Sequence, residues 1–257
     1  MVADEAGNLY GATNSGGSYN GVACENDGCG TVFELTSNGT QITLHTFQGG
    51  NDGGVPDAGL IIDSSGNLYG TTFAGGGCSV NASGCGTVFK VAPGGAETVP
   101  YAFQGTTDGY FPESVLTEDE AGNLYGTTFD GGDTHACYPD GCGAVFKLEP
   151  GGQESVLYGF KLGNDGSHPE AGVVIDRNGN FYGTTYFGGG RHCKEADGCG
   201  TVFEVTAKGS EKVLYDFQSG RGRYPAAGLL LGSHNELYGT TTEGGKENDD
   251  VVFEVKK

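Results

Sequence analysis

A five-residue segment recurs along the chain and constrains the fold more than any other feature of the sequence. It reads Gly-Asn-Leu-Tyr-Gly at 7–11, 66–70 and 122–126, Gly-Asn-Phe-Tyr-Gly at 179–183, and Asn-Glu-Leu-Tyr-Gly at 235–239. The asparagines of successive segments are 59, 56, 57 and 55 residues apart. The chain therefore consists of five copies of a unit of roughly 56 residues.

Each copy except the last contains four short apolar runs, A to D, which in the second copy are 58–62, 67–72, 87–91 and 97–103. Runs rich in Val, Ile, Thr, Tyr and Phe and bounded by Gly, Asp, Asn and Ser predict β-strands. Tight links such as Asp-Ser-Ser-Gly at 63–66 are typical of hairpins, which disfavours the alternative, a parallel β-solenoid. We therefore predict an all-β fold, a single five-bladed β-propeller over residues 1–257 with four antiparallel strands per blade.

The last copy stops at run C, residues 251–255, and lacks its fourth and outermost strand. We expect the fifth blade to be three-stranded or completed by a partner, because an outer strand packs against fewer neighbours than an inner one. Residues 251–255 should then pair with residues 237–240 of the same blade.

The order of motifs GNLYGTT, GG, GTVF, YxF and DGxxP resembles the tandem repeats of the choice-of-anchor GloVer family, over nearly the whole chain. The resemblance implies a bacterial protein that is secreted or displayed on the cell surface. It implies neither a reaction nor site residues.

Eight cysteines form four close pairs, each between runs B and C of one copy. We predict a disulfide within each pair. Zinc is the alternative, but four to six residues separate the partners instead of two, and no histidine recurs beside them. Disulfides indicate an oxidising, extracellular setting. The pairs are Cys24/Cys29, Cys78/Cys85, Cys137/Cys142 and Cys193/Cys199.

Strand alternation places the long B–C and D–A loops on one face of the propeller, and function usually resides in such loops. The D–A loops contain Asp-Gly at Asp52, Asp108 and Asp165. These residues suit tight turns, and the alternative is that they coordinate calcium.

A second candidate is the acidic residue after each proline, Asp57, Glu113 and Glu170, which we place at the start of run A. If first strands line a central channel, these carboxylates converge and act as acid and base in glycoside hydrolysis. The alternatives are hydrogen bonds to neighbouring backbone or water, and a channel cation.

A third candidate is a set of aromatic and basic side chains in the same loops. Aromatic rings beside polar groups stack on sugar rings, whereas the alternative is packing beneath the disulfide loops. The predicted ligand-binding residues are Phe73, Tyr110, Phe129, His168, Tyr186, Arg191, His192 and Tyr224.

The net charge is −20, from 33 acidic and 13 basic residues, which disfavours nucleic acid and anionic membranes as partners. No apolar run reaches the ~18 residues of a membrane span.

Our leading hypothesis is an extracellular or cell-surface propeller that binds glycans. It requires no cofactor, although bound calcium is compatible with it. The alternatives are a polysaccharide-degrading hydrolase using Asp57, Glu113 and Glu170, and a structural protein that self-associates through incomplete terminal blades.

Overall fold

The computed structural model describes residues 1–17, 24, 27–78, 83–105, 107–132, 137, 139–190, 193 and 197–257. Within these residues nineteen strands form five sheets, one for each repeat copy, and every sheet follows chain order as a meander.

The chain forms two compact units. Unit 1 is Met1–Gly105, Tyr110–Leu116 and Leu148–Glu154, and unit 2 is Thr106–Gly109, Thr117–Lys147 and Ser155–Lys257. The single domain predicted from the sequence stays a prediction.

The strands of the five sheets have the following bounds. Sheet I contains β1 (Val2–Ala3), β2 (Leu9–Thr13), β3 (Thr31–Leu35) and β4 (Gln41–Thr46). Sheet II contains β5 (Ile61–Ile62), β6 (Leu68–Thr72), β7 (Thr87–Val91) and β8 (Glu97–Ala102). Sheet III contains β9 (Thr117–Glu118), β10 (Leu124–Thr128), β11 (Ala144–Leu148) and β12 (Glu154–Gly159). Sheet IV contains β13 (Val174–Ile175), β14 (Phe181–Thr185), β15 (Thr201–Val205) and β16 (Glu211–Asp216). Sheet V contains β17 (Leu230–Leu231), β18 (Glu236–Thr241) and β19 (Val251–Lys256).

The first strand of each sheet is shorter than the sequence predicts. In the second copy run A was expected over 58–62, whereas β5 pairs with β6 only at Ile61 and Ile62. Leu60, just before the strand, is 4% exposed, so it contributes to the core and not to the ladder. The placement of Asp57, Glu113 and Glu170 at the start of strand A is therefore wrong, because all three lie in the preceding loop.

Sheet V confirms the expected three-stranded arrangement. Its last strand, β19, pairs with β18 in antiparallel register, with Leu237 opposite Val255 and Thr240 opposite Val252. The outer edge of β19 lies where the other four sheets have a fourth strand, and Val252 is 79% exposed there.

Consecutive sheets of one unit pack through pairs of phenylalanines. The ring of Phe47, which follows β4, meets Phe89 of β7 at 5.0 Å between centroids in unit 1. In unit 2 Phe160 meets Phe203 at 5.0 Å in the same edge-to-face manner. The phenylalanine of the YxF motif, or of His-Thr-Phe at 45–47 in the first copy, thus packs against that of the next GTVF motif, which accounts for both motifs.

All eight cysteines are among the described residues, and they form the four disulfides predicted, with no free thiol. Four disulfides point to an oxidising, extracellular compartment. Within the described residues, no helix has the length and apolar character that crossing a membrane requires.

Candidate functional site

The D–A loops lie against the ends of strands B, as strand alternation predicts. In unit 1 Gly54 forms a bridge with Ala74, directly after β6. In unit 2 Ser167 forms the same bridge with Phe187 after β14, and Arg223 with Glu243 after β18. The variable residues of both loops are therefore brought together at one end of each sheet.

Five rings of unit 2 form a continuous cluster at this end, which we call the aromatic row: Phe129, His168, Phe187, Tyr224 and Tyr186. His168 lies 4.8 Å from Phe129 and 5.5 Å from Phe187, between ring centroids. Tyr224 lies 5.9 Å from Phe187 and stacks on Tyr186 at 4.9 Å with an interplanar angle of 15°. All five residues are part-buried, and the side chain of His168 is 20% exposed.

Charged groups border the aromatic row. Asp130, which is 8% exposed, places Oδ1 3.3 Å from Nε2 of His168 and so fixes the imidazole. Arg223 forms a 2.6 Å ion pair with Glu243 and lies 5.3 Å from the ring centroid of Tyr224. Small-molecule sites are usually lined by apolar and aromatic side chains with a few polar side chains at the margin.

Two ionisable groups beside the row are perturbed. Burial raises the pKa of Glu170, which directly follows Pro169. The pKa of Tyr186 is also raised, first by burial and then by the negative charges of Glu170 and Glu243. The phenol of Tyr186 therefore stays protonated at neutral pH and can donate a hydrogen bond.

Four of the predicted ligand-binding residues, Phe129, His168, Tyr186 and Tyr224, thus lie together, and Phe187 joins them. In unit 1 Phe73 stacks on Phe111 at 4.2 Å. Tyr110 is only 7% exposed and meets Phe111 edge-on, so its ring offers little surface to a ligand. Arg191 and His192 lie outside the described residues.

The three predicted catalytic carboxylates stand in different surroundings. Asp57 is exposed and accepts a hydrogen bond from the side-chain amide of Asn14. Asp57 and Glu113 belong to unit 1 and Glu170 to unit 2. Their shared catalytic role stays a prediction.

The Asp-Gly residues of the D–A loops have structural roles. Asp52 Oδ2 accepts the backbone N–H of Gln48 at 2.6 Å, and Asp165 Oδ2 accepts that of Lys161 at 3.2 Å. Gly53 has φ 81°, and a Cβ there would lie 2.7 Å from Thr72 Oγ1. These contacts support the turn interpretation of the motif.

The same aspartates also belong to clusters that the sequence analysis missed, which we call seam clusters. Seam cluster 1 is His45, Asp52 and Glu97, and His45 Nε2 lies 3.1 Å from Asp52 Oδ1. Burial, together with the charge and hydrogen bonding of Asp52, raises the pKa of Glu97 to about 7.

Seam cluster 2 is Tyr158, Asp165 and Glu211. The phenol of Tyr158 donates to Asp165 Oδ2 at 2.7 Å. Burial and the charge of Asp165 raise the pKa of Glu211 to about 7. The signal for both clusters was the constant interval of 57 residues between Glu97, Glu154 and Glu211, the first residues of strands D.

Among the described residues, seam cluster 1 alone brings three metal-ligating groups within 4.8 Å of one another. One imidazole and two carboxylates suit a transition metal better than calcium, which takes six to eight oxygen ligands. A calcium site at Asp52, Asp108 or Asp165 stays a prediction.

Repeated antiparallel sheets, each with its variable loops at one end, define an all-β protein with a β-propeller-like fold. The structure is similar to a luciferin-regenerating enzyme at 12% identity and a TM-score of 0.51, over 91% of this chain and 76% of that one. It is also similar to a gluconolactonase from Xanthomonas campestris at 13% identity and a TM-score of 0.50, over 88% and 65% of the two chains. At such identities the likeness concerns the fold alone.

Residues 133–257 match the Gloeobacter/Verrucomicrobia repeat, which confirms over this part of the chain the family resemblance found in the sequence. No match was found among curated proteins.

Proposed function

We propose that the chain is a secreted or cell-surface protein that binds neutral glycans on the aromatic row, and that its five sheets close into a five-bladed propeller. The observation that carries this proposal is the unbroken contact of five part-buried rings in unit 2. The C–H face of a pyranose packs on such rings, while its hydroxyl groups bond to polar groups at the margin. Asp130, Glu170, Glu243 and the net charge of −20 disfavour sulfated and uronic sugars.

Binding to surface-coupled cello-, xylo-, malto- and chito-oligosaccharides tests the proposal. We expect at least one of them to bind, and Tyr186→Ala to weaken that binding about tenfold or more, because a stacking ring is lost. Tyr238→Ala is the matched control, because Tyr238 is 37% exposed in the same unit and lies toward the opposite end of β18. No binding by the wild type, or equal loss in both variants, would overturn the proposal.

The two other interpretations stay predictions. Hydrolysis would release reducing ends from the same oligosaccharides, and the release would be lost in Glu170→Gln. Self-association would use the open edge of β19, and sedimentation velocity would detect it as a dimer that dissociates in Val252→Lys.

A further inference from the structure

Four residues that directly precede a proline adopt the left-handed backbone conformation, although none is glycine. Val55, Phe111, His168 and Tyr224 have φ values of 58°, 58°, 54° and 59°. This region is unfavourable for any residue with a Cβ, especially a β-branched or bulky one, and a following proline restricts the backbone further. Strain that recurs at one position of every junction between copies needs an explanation.

Backbone hydrogen bonds hold each of these residues in place. The N–H of Val55 donates to the carbonyl of Cys29 at 2.8 Å, and that of His168 to Cys142 at 2.7 Å. Phe111 and Tyr224 donate in the same way to the second cysteine of the preceding copy, Cys85 at 3.0 Å and Cys199 at 2.9 Å. These bonds use main-chain atoms only, so glycine would make them equally well and without strain.

The carbonyl of the same residue completes the junction. Those of Val55 and His168 accept the N–H of Phe73 and Tyr186, the residues after β6 and β14, at 3.0 and 3.1 Å. The carbonyl of Tyr224 likewise accepts the N–H of Thr242 at 3.1 Å. Both backbone groups of Val55, His168 and Tyr224 are thus engaged, and only their side chains are left to vary.

That side chain does vary, and it determines the shape of each junction. Phe111, His168 and Tyr224 each lie against the ring that follows the preceding strand B, at 4.2, 4.8 and 4.9 Å between centroids. Val55, the smallest of the four, instead lines a cavity of about 270 Å³ together with Asn14 and Phe73. An unchanged backbone therefore presents a different surface at each junction.

We propose that the residue before each junction proline is the specificity-determining residue of that junction. A residue with a side chain is kept there in spite of the backbone strain, because that side chain contacts the bound sugar. This inference rests on the proposed function. In unit 2 it assigns His168 and Tyr224 to two adjacent sugar subsites of the aromatic row, separated by the ring of Phe187. His168 presents an imidazole held by Asp130, and Tyr224 presents a phenol, so the subsites favour sugars with different hydroxyl arrangements.

The decisive experiment compares glycine and alanine at the same position, because both variants lose the ring but only glycine relieves the strain. We expect His168→Gly and Tyr224→Gly to melt about 2–4 °C above the matching alanine variants. Both substitutions at each position should weaken oligosaccharide binding about tenfold or more. Leu162→Gly is the control, because Leu162 also has a positive φ, 61°, but lies outside the aromatic row, so its binding should equal that of the wild type.

The double variant His168→Tyr with Tyr224→His exchanges the two side chains. It distinguishes a role in sugar specificity from a merely structural role. We expect the order of affinities among the cello-, xylo-, malto- and chito-oligosaccharides to change. An unchanged order, or glycine variants that bind like the wild type, would overturn this inference while leaving the proposed function intact. A wild type that binds none of the four oligosaccharides would overturn both.

Discussion

At the residue scale, the least expected groups are the two glutamates of the seam clusters. Glu97 and Glu211 each lie beside an aspartate, and each has a pKa of about 7 in the folded chain against a reference value of 4.5. The folded state therefore binds more protons than the unfolded state between these two values. The stability from this difference is fully present below about pH 4.5 and is lost as the pH rises through 7.

We predict that the melting temperature falls by a few degrees between pH 5 and pH 8. Glu97→Gln combined with Glu211→Gln should remove most of this decrease, because glutamine resembles the protonated acid at every pH. Glu5→Gln is the control. It removes the charge of an exposed side chain and should leave the pH dependence of the melting temperature unchanged. Calorimetric scans in buffers of equal ionic strength measure the effect, and a melting temperature that rises from pH 5 to pH 8 would contradict it.

Also at this scale, the structure explains why the recurring pentapeptide follows an aspartate. Asp63 Oδ1 accepts the backbone N–H of Ser65 and of Asn67, and Oδ2 accepts the Asn67 amide and the Tyr69 hydroxyl. The turn was predictable from Asp and Gly, because their turn chemistry is local. The hydroxyl bond was not, because it requires knowing which way Tyr69 faces in the sheet.

At the scale of elements, the strands of the middle of each sheet were predictable and the first strands were not. Run C of the second copy matches β7 at both ends, because four of its five residues are buried and the strand pairs with a neighbour on each side. Run A was overestimated, since Leu60 has the composition of a strand residue but packs into the core.

The same limit applies to the site. His168 and Tyr224 were recognised by residue type, but their left-handed backbone is not visible in composition. It depends on contacts with Cys142 and Cys199, which lie about 25 residues earlier in the chain.

The disulfides act on the elements that carry the site. Cys137 and Cys142 close a short loop, with a sequence separation of 5, and the carbonyl of Cys142 accepts the N–H of His168. Closing a loop of this size restricts the unfolded chain by about 2 kcal/mol.

We predict that Cys137→Ser with Cys142→Ser lowers the free energy of unfolding by about 2 kcal/mol, measured by urea titration. The change should equal that of the corresponding double variant at Cys193 and Cys199, because the two loops are of nearly equal length. A loss below about 0.5 kcal/mol would mean that the loop is already ordered in the unfolded chain.

At the scale of the whole molecule, the dominant quantity is the net charge of −20. Repulsion among these charges destabilises the folded state and is screened by salt, since the Debye length falls to about 10 Å at 0.1 M. The same charge repels the phosphates of nucleic acids.

We predict that the melting temperature rises by several degrees between 10 mM and 300 mM NaCl, and that the protein does not bind DNA at any of these concentrations. Calcium chloride at equal ionic strength should give the same rise if screening is the cause. A clearly larger rise in calcium chloride would instead reveal a specific site and would support the calcium prediction for the Asp-Gly loops.

The junctions have a further consequence for how such a chain diversifies. Each junction joins a residue that follows one copy's strand B, such as Phe129, to a residue that enters the next copy, such as His168. Duplicating the copy that contains both His168 and Tyr186 would create a new neighbour pair, Tyr186 beside a second His168, that the present chain lacks. The main-chain bonds to the cysteine carbonyl would be the same, so recombination of copies generates new binding pairs without requiring a new fold.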